Sequence, residues 1–360
     1  MASIALISEP EAKHRRPYAE AIRDISKIDS AHVVDLKISP AAKPNAIGKG
    51  EVPVSTEGLL DLIGDKLSGA YDSVEDMLTT VRPEMAIVTM VAVNAPPVIK
   101  TLLNAGVPVM AEKPACIDPV DFEPLVRLAD EKGVPLMLAL ANRRRPDYDD
   151  AHRIVTAGGI GDLYAVQAHV VADQARIHRQ LDEPDWTFQQ ARAGGGHLVW
   201  LGIHYIDVIR YITGLEIEQV QAMSGVVGGT SIDVEDLALV NMRLSGGVMA
   251  SLFSGYLTEG DGHGGITAYG SRGWLRVSES DANALEWVSS RREMYASHTR
   301  RSEYVERGGG YTVWVEETLR ACLGEIELPI TAADSLTALR VVHAAYRSAE
   351  SGKSESIPSN

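Results

Sequence analysis

Leu103-Asn104-Ala105-Gly106-Val107-Pro108-Val109-Met110-Ala111-Glu112-Lys113-Pro114 is the stretch that decides the fold. Apolar spacing from Pro97 to Ala105 predicts a helix, and Gly106 stands where a helix ends in left-handed backbone. Val107 to Glu112 is then an almost unbroken apolar run of strand length. A run that does not alternate describes a strand covered on both faces, as in a parallel sheet with helices on either side.

The same grammar extends outward. Met85 to Met90 is a strand before that helix; Pro119 to Lys132 is a helix closed by Gly133, and Pro135 to Ala141 is a further strand. Upstream, Ile4 to Ile7 and His32 to Ile38 read as strands around a helix from Arg15 to Ile25. Ser39 to Pro53, rich in Pro, Gly and Lys, reads as a surface excursion, and Ser73-Val74-Glu75-Asp76 as a capping box for a helix through Thr80. This alternation predicts a doubly wound α/β domain over residues 1–143.

The texture changes after Asn142-Arg143-Arg144-Arg145-Pro146. A helix to about Ala157 leads to longer, alternating strands at Leu163–Ala172, Ile217–Val226, Ala238–Leu244, Val248–Tyr256, Gly265–Tyr269 and Gly273–Val277. Gly246-Gly247 and Ser271-Arg272-Gly273 are hairpin turns, so residues 144–360 read as an α+β domain on a large, mostly antiparallel sheet. Helices from about Gly196 to Ile212 and from Ala332 to Ala349 complete it. A chain of 360 residues is long enough for two such cores.

Composition narrows the function. A net charge of −15, with no basic stripe interleaved with aromatics, argues against nucleic acid. Cys116 and Cys322 form no metal-binding or disulfide spacing, which suits a reducing cytoplasm. The N-terminus has no basic region ahead of its apolar run, and no apolar run is long enough to span a membrane.

Two clusters can carry chemistry. Lys113 closes a buried strand at the carboxyl edge of the parallel sheet, where open α/β folds bind ligands; there it can donate to a substrate oxygen or transfer a proton. It can equally be a structural partner of Glu112. The second cluster is Gly194-Gly195-Gly196-His197-Leu198-Val199-Trp200-Leu201-Gly202-Ile203-His204-Tyr205-Ile206-Asp207. On an α-helix His197, Trp200, His204 and Asp207 share one broad face, and the glycines allow close approach of a ligand. Each is also compatible with a structural role. Arg143 is a further candidate contact for substrate.

These clusters, in this order and with Gly158 to Gly161 between them, resemble the Gfo/Idh/MocA family of oxidoreductases. The resemblance continues through Val234-Glu235-Asp236, Tyr269-Gly270-Ser271-Arg272-Gly273 and the last helix. It implies an N-terminal Rossmann domain holding NAD or NADP and a C-terminal domain whose open sheet forms homodimers or homotetramers. The implied reaction is reversible oxidation of a secondary alcohol on a sugar, cyclitol or related polyol. By resemblance Lys113 and His204 are catalytic, and Glu112 and Lys113 meet the cofactor; Trp200, His197, Asp207 and Arg143 are further candidates to line the substrate, Ser8, Arg15 and Asp35 to meet the cofactor, and no metal is implied.

The chain departs from the family pattern at three places. Ile7-Ser8-Glu9-Pro10-Glu11-Ala12-Lys13-His14-Arg15-Arg16-Pro17 has no glycine where G-x-G-x-x-G normally lets a pyrophosphate approach a helix N-terminus. Trp200 stands where the family's helix carries an aspartate, and Val91 and Ala95 replace its usual Pro and His. These departures keep two other readings open: a non-redox lyase, isomerase or hydrolase, and a sugar-sensing subunit that has lost dinucleotide binding.

Overall fold

The computed structural model describes residues 2–38, 54–174, 185–228, 232–279, 281, 283–291, 296–300 and 310–358. The Ser39–Pro53 excursion lies outside them. The chain forms two units, one of Met1–Ala139, Arg179–Gly194 and Gly310–Leu336, the other of Leu140–His178, Gly195–Gly309 and Thr337–Asn360.

The first unit is built on six parallel strands: β1 (Ala2–Ser8), β2 (Ile28–Asp35), β3 (Leu67–Tyr71), β4 (Met85–Thr89), β5 (Val109–Ala111) and β6 (Leu136–Leu138). Their order is β3-β2-β1-β4-β5-β6, with β1 beside both β2 and β4. Chain direction across the sheet therefore reverses at the β1/β4 boundary, and the crevice outside the carboxyl ends of those two strands is where such sheets take ligands. Ile4, Ala5, Leu6 and Ile7 are all buried, which is why β1 reads as a continuous apolar run. Each of its large side chains contributes about 1.5–3 kcal/mol by leaving water.

The helices of this unit are α1 (Arg15–Asp24), α2 (Thr56–Ile63), α3 (Val74–Thr80), α4 (Ala95–Asn104) and α5 (Pro119–Lys132). Ser73 caps α3 by accepting the Asp76 amide, as its sequence predicts, and α5 stops at Gly133 in left-handed backbone. Strand β5 is shorter than its apolar run, because Pro108 has no N–H to give the ladder.

Two later segments belong to this first unit rather than to the second domain expected from residue 144 onward. Lys13 forms a buried ion pair with Asp185, and the Trp186 indole donates to the Glu11 carbonyl at 2.9 Å. Tyr311, which opens α7 (Tyr311–Cys322), meets the Tyr18 ring edge-on at 5.1 Å. These partners are far apart in sequence, and no local pattern announces them.

The second unit carries a nine-stranded sheet in the order β14-β13-β12-β11-β7-β10-β9-β8-β15. Its strands are β7 (Leu163–Asp173), β8 (Ile217–Gly225), β9 (Leu237–Leu244), β10 (Met249–Thr258), β11 (His263–Gly270), β12 (Gly273–Ser278), β13 (Asn283–Ser289), β14 (Ala296–Arg300) and β15 (Glu355–Ser356). All pairings are antiparallel except β7 with β10. Along β9 the burial alternates strictly, with Ala238, Val240, Met242 and Leu244 inward. The inner face is covered by helices that include α6 (Pro146–Thr156) and α8 (Ile203–Thr213).

Candidate active site

In the first unit the polar groups gather at the carboxyl ends of the strands. Glu112 and Lys113 follow β5 directly and are both buried, Lys113 being 4% exposed. The Glu112 carboxylate accepts the Tyr18 hydroxyl at 2.6 Å, lies 3.2 Å from the His14 imidazole, and accepts the Lys113 amide at 3.1 Å. Burial by itself raises its pKa, but His14, Lys113 and Tyr18 overcome that and hold it at about 2. Glu112 is therefore a fixed negative charge beside the Lys113 ammonium. His14 and Tyr18 are four apart, so the start of α1 presents both to one side; that i,i+4 spacing is the signal in the sequence that could have found them.

Next to this lies the loop between β1 and α1. The Glu9 carboxylate is fully buried, accepting the Val91 amide at 2.8 Å and the Asn94 side-chain amide at 3.0 Å. Thr89, the last residue of β4, donates to the Lys13 carbonyl. Ser8, with no exposure, donates to Asp35 at 3.2 Å; Arg15 donates to Asp35 at 2.7 Å and to the Val54 carbonyl at 3.1 Å; Thr56 also donates to Asp35. Ser8, Arg15 and Asp35, all expected at the cofactor, are thus brought together and bonded to one another. Both Asp35 oxygens accept from the chain itself.

In the second unit the helix expected from Gly196 to Ile212 has a different start. Leu198–Gly202 is a π-helical turn, and the α-helical part, α8, begins at Ile203. Such turns insert one extra residue and recur at functional sites. The insertion breaks the three-and-four spacing on which a shared face of His197, Trp200, His204 and Asp207 was expected. His197 has no exposure; its Nδ1 lies 2.7 Å from the Ser254 hydroxyl, and its ring meets Tyr256 edge-on. Asp207, also without exposure, is held by Arg143 through two bonds of 2.7 Å. Trp200 is buried and His204 half-buried.

The glycines ahead of this helix are required by packing. A Cβ on Gly195 would stand 2.2 Å from the Tyr346 hydroxyl, and one on Gly196 would stand 1.9 Å from the Glu235 carbonyl oxygen. The Glu235 carboxylate in turn accepts the Gly196 and Leu198 amides at 2.7 and 2.8 Å, and the Tyr346 hydroxyl at 2.9 Å. Burial pushes its pKa up to about 7 against those three donors. Glu235 is thus the residue that fixes the start of the helix bearing Trp200 and His204, a role its sequence context does not disclose.

Two segments match known sequence families. Residues 64–140 match the oxidoreductase family with an NAD-binding Rossmann fold, and residues 148–276 match the GFO/IDH/MocA C-terminal domain. The chain belongs to the Gfo/Idh/MocA oxidoreductase family. The first matched segment begins at Gly64, after the β1–α1 loop. Among its relatives, the trans-1,2-dihydrobenzene-1,2-diol dehydrogenase of Mus musculus is 26% identical over 71% of this chain and 73% of its own. A myo-inositol dehydrogenase of Streptomyces leeuwenhoekii is 28% identical over 43% of each chain. The fold is shared with the WlbA dehydrogenase of Bordetella pertussis in complex with NADH and UDP-GlcNAcA, at a TM-score of 0.80, 20% identity and coverage of 100% and 99%.

Whether these residues suit a dinucleotide is decided at the strand ends. At β5 they do: a buried lysine and a fixed carboxylate offer a donor and an acceptor to a ribose or hydroxyl. Just after β4, beside the end of β1, the donors exist, in the Val91 amide and the Asn94 side chain, but Glu9 holds them. The donor set therefore fits a dinucleotide phosphate with Glu9 displaced. Among the described residues there is no cluster of His, Cys, Asp or Glu able to hold a metal ion, and no helix is long and apolar enough to cross a membrane.

Proposed function

We propose that this protein is an NAD(P)-dependent oxidoreductase interconverting a secondary alcohol and a ketone on a sugar, cyclitol or related cyclic polyol, with Lys113 and His204 handling the proton. The observation that carries the reading is Lys113, buried at the carboxyl end of β5 beside a carboxylate that three groups keep ionised. A bound nicotinamide supplies the hydride acceptor or donor. The chain's own part is the proton. Oxidation of a hydroxyl-bearing carbon releases the hydroxyl proton, which an imidazole, or a lysine that has first given up its own proton, is suited to receive and to return in the reverse direction. Glu112 positions Lys113, and Trp200 offers an apolar surface for a sugar face.

The relatives named above act, by their names, on a cyclic diol and a cyclitol, which supports the substrate class. Exposed Met223, Leu239 and Phe253, which stand opposite one another across β8, β9 and β10, support a homodimer or homotetramer. Titration with NADH and NADPH, followed by fluorescence and calorimetry, tests the reading. Saturable binding and turnover of a cyclic polyol are expected. A second reading, a sugar-sensing subunit without dinucleotide, draws on the closure of the crevice by Glu9; no binding at millimolar dinucleotide selects it.

A further inference from the structure

We infer that Glu9 sets the affinity for dinucleotide by occupying the place a phosphate of the cofactor has to take. The inference rests on the dehydrogenase reading. Its geometry is independent of it. Strand order reverses at β1/β4, so the crevice beyond those two strand ends is the ligand site of the sheet. Glu9 is the first residue after β1, and its carboxylate crosses that crevice to the Val91 amide and the Asn94 side chain, in the loop just after β4. A second stitch, Thr89 to the Lys13 carbonyl, joins the same two strand ends.

A backbone amide and a side-chain amide converging on one carboxylate are donors that suit a phosphate oxygen equally well. Glu9 is fully buried on them, so phosphate and carboxylate exclude each other by volume as well as by charge. The nearby cations do not offset this. Lys13 is paired with Asp185, Arg15 with Asp35, and Arg192 with Glu11. Dinucleotide can enter only as Glu9 leaves its donors, and the cost of that displacement comes out of the binding energy. The carboxylate therefore weakens an affinity that the rest of the site supports.

The test compares wild type with Glu9→Ala, which empties the place, and Glu9→Gln, which keeps an acceptor of the same shape without the charge. Calorimetric titrations use ADP and, separately, NADH; hydrogen exchange at the Val91 amide reports whether the ligand sits there. Glu9→Ala is expected to bind both at least tenfold more tightly than wild type, with Glu9→Gln in between and the Val91 amide protected on ADP binding. Should Glu9→Ala fold poorly, a threefold or larger gain in Glu9→Gln carries the same result. Wild-type affinity for ADP and NADH in both variants overturns the inference while leaving the dehydrogenase reading intact. No NADH binding in any of the three forms sinks the dehydrogenase reading and this inference with it, even where ADP binds more tightly to Glu9→Ala.

Discussion

The Tyr18 hydroxyl donates to the Glu112 carboxylate at 2.6 Å, tying α1 to the turn that bears Lys113. The bond is buried and charge-assisted, so its loss is worth about 1.5–3 kcal/mol. Tyr18→Phe is expected to lose about that much in urea unfolding near neutral pH. Glu112 keeps its charge down to about pH 2 when folded, against an ordinary value of 4.5. Its depressed pKa therefore stabilises the fold fully above about 4.5, and the contribution is lost as pH falls toward 2. The gap between wild type and Tyr18→Phe should narrow across that window. A gap that stays constant from pH 6 to the acid limit of cooperative folding would show that the carboxylate is not what Tyr18 serves.

Lys113→Ala and His204→Ala are each expected to lower kcat by about 10²–10⁴ if these groups move the hydroxyl proton. Lys113→Arg separates charge from proton transfer. A guanidinium keeps the positive charge beside Glu112 but does not release a proton near neutral pH, so activity should stay low. Steady-state turnover beside thermal unfolding makes the measurement. Near-wild-type kcat in Lys113→Arg would assign Lys113 an electrostatic role only.

What the sequence discloses follows the range of the interactions. Met85 to Leu138 is legible because continuous apolar runs and glycine stops are local, and Lys113 is legible because it ends one of those runs. Strand order and the return of Asp185 and Tyr311 to the first unit depend on partners far away in the chain. The strand β3 escapes pattern reading because Leu67-Ser68-Gly69-Ala70-Tyr71 is short and half polar, as an edge strand can be. The π-helical turn at Leu198–Gly202 uses residues that serve an α-helix equally well, so periodicity sends His197 and Asp207 to a common face. In the fold they turn to Ser254 and Arg143.

Gly196 separates a demand for space from a demand for backbone freedom. A methyl group there would meet the Glu235 carbonyl at 1.9 Å, and that carbonyl already accepts the His197 amide at 3.2 Å. Neither side can yield without breaking the cap, so Gly196→Ala should cost about 3 kcal/mol or more. Gly214 ends α8 with φ of 66°, and a methyl group on it would have no neighbour within 4 Å. Its replacement by Ala should therefore cost only about 1–2 kcal/mol, the strain of left-handed backbone alone. Chemical denaturation of the two variants gives the comparison. Equal losses would mean that the helix start and the Glu235 carbonyl give way to the methyl group.

The outer face of the nine-stranded sheet carries two cross-strand rows of apolar side chains. Met223 opposes Leu239, which opposes Phe253; on the row of Met249 stand Tyr269, Trp274 and Val288. Met223 is 73% exposed and Phe253 38%. Rows of this kind, contiguous across the strands, mark association surfaces rather than scattered exposure. An isologous dimer would bring each row against its copy, since a two-fold axis presents one patch to itself. Phe253→Asp, at the centre of the face, then buries two unpaired like charges per dimer and should release monomers. Sedimentation or light scattering reads the mass directly. An oligomer of undiminished mass in Phe253→Asp would move the interface away from this sheet.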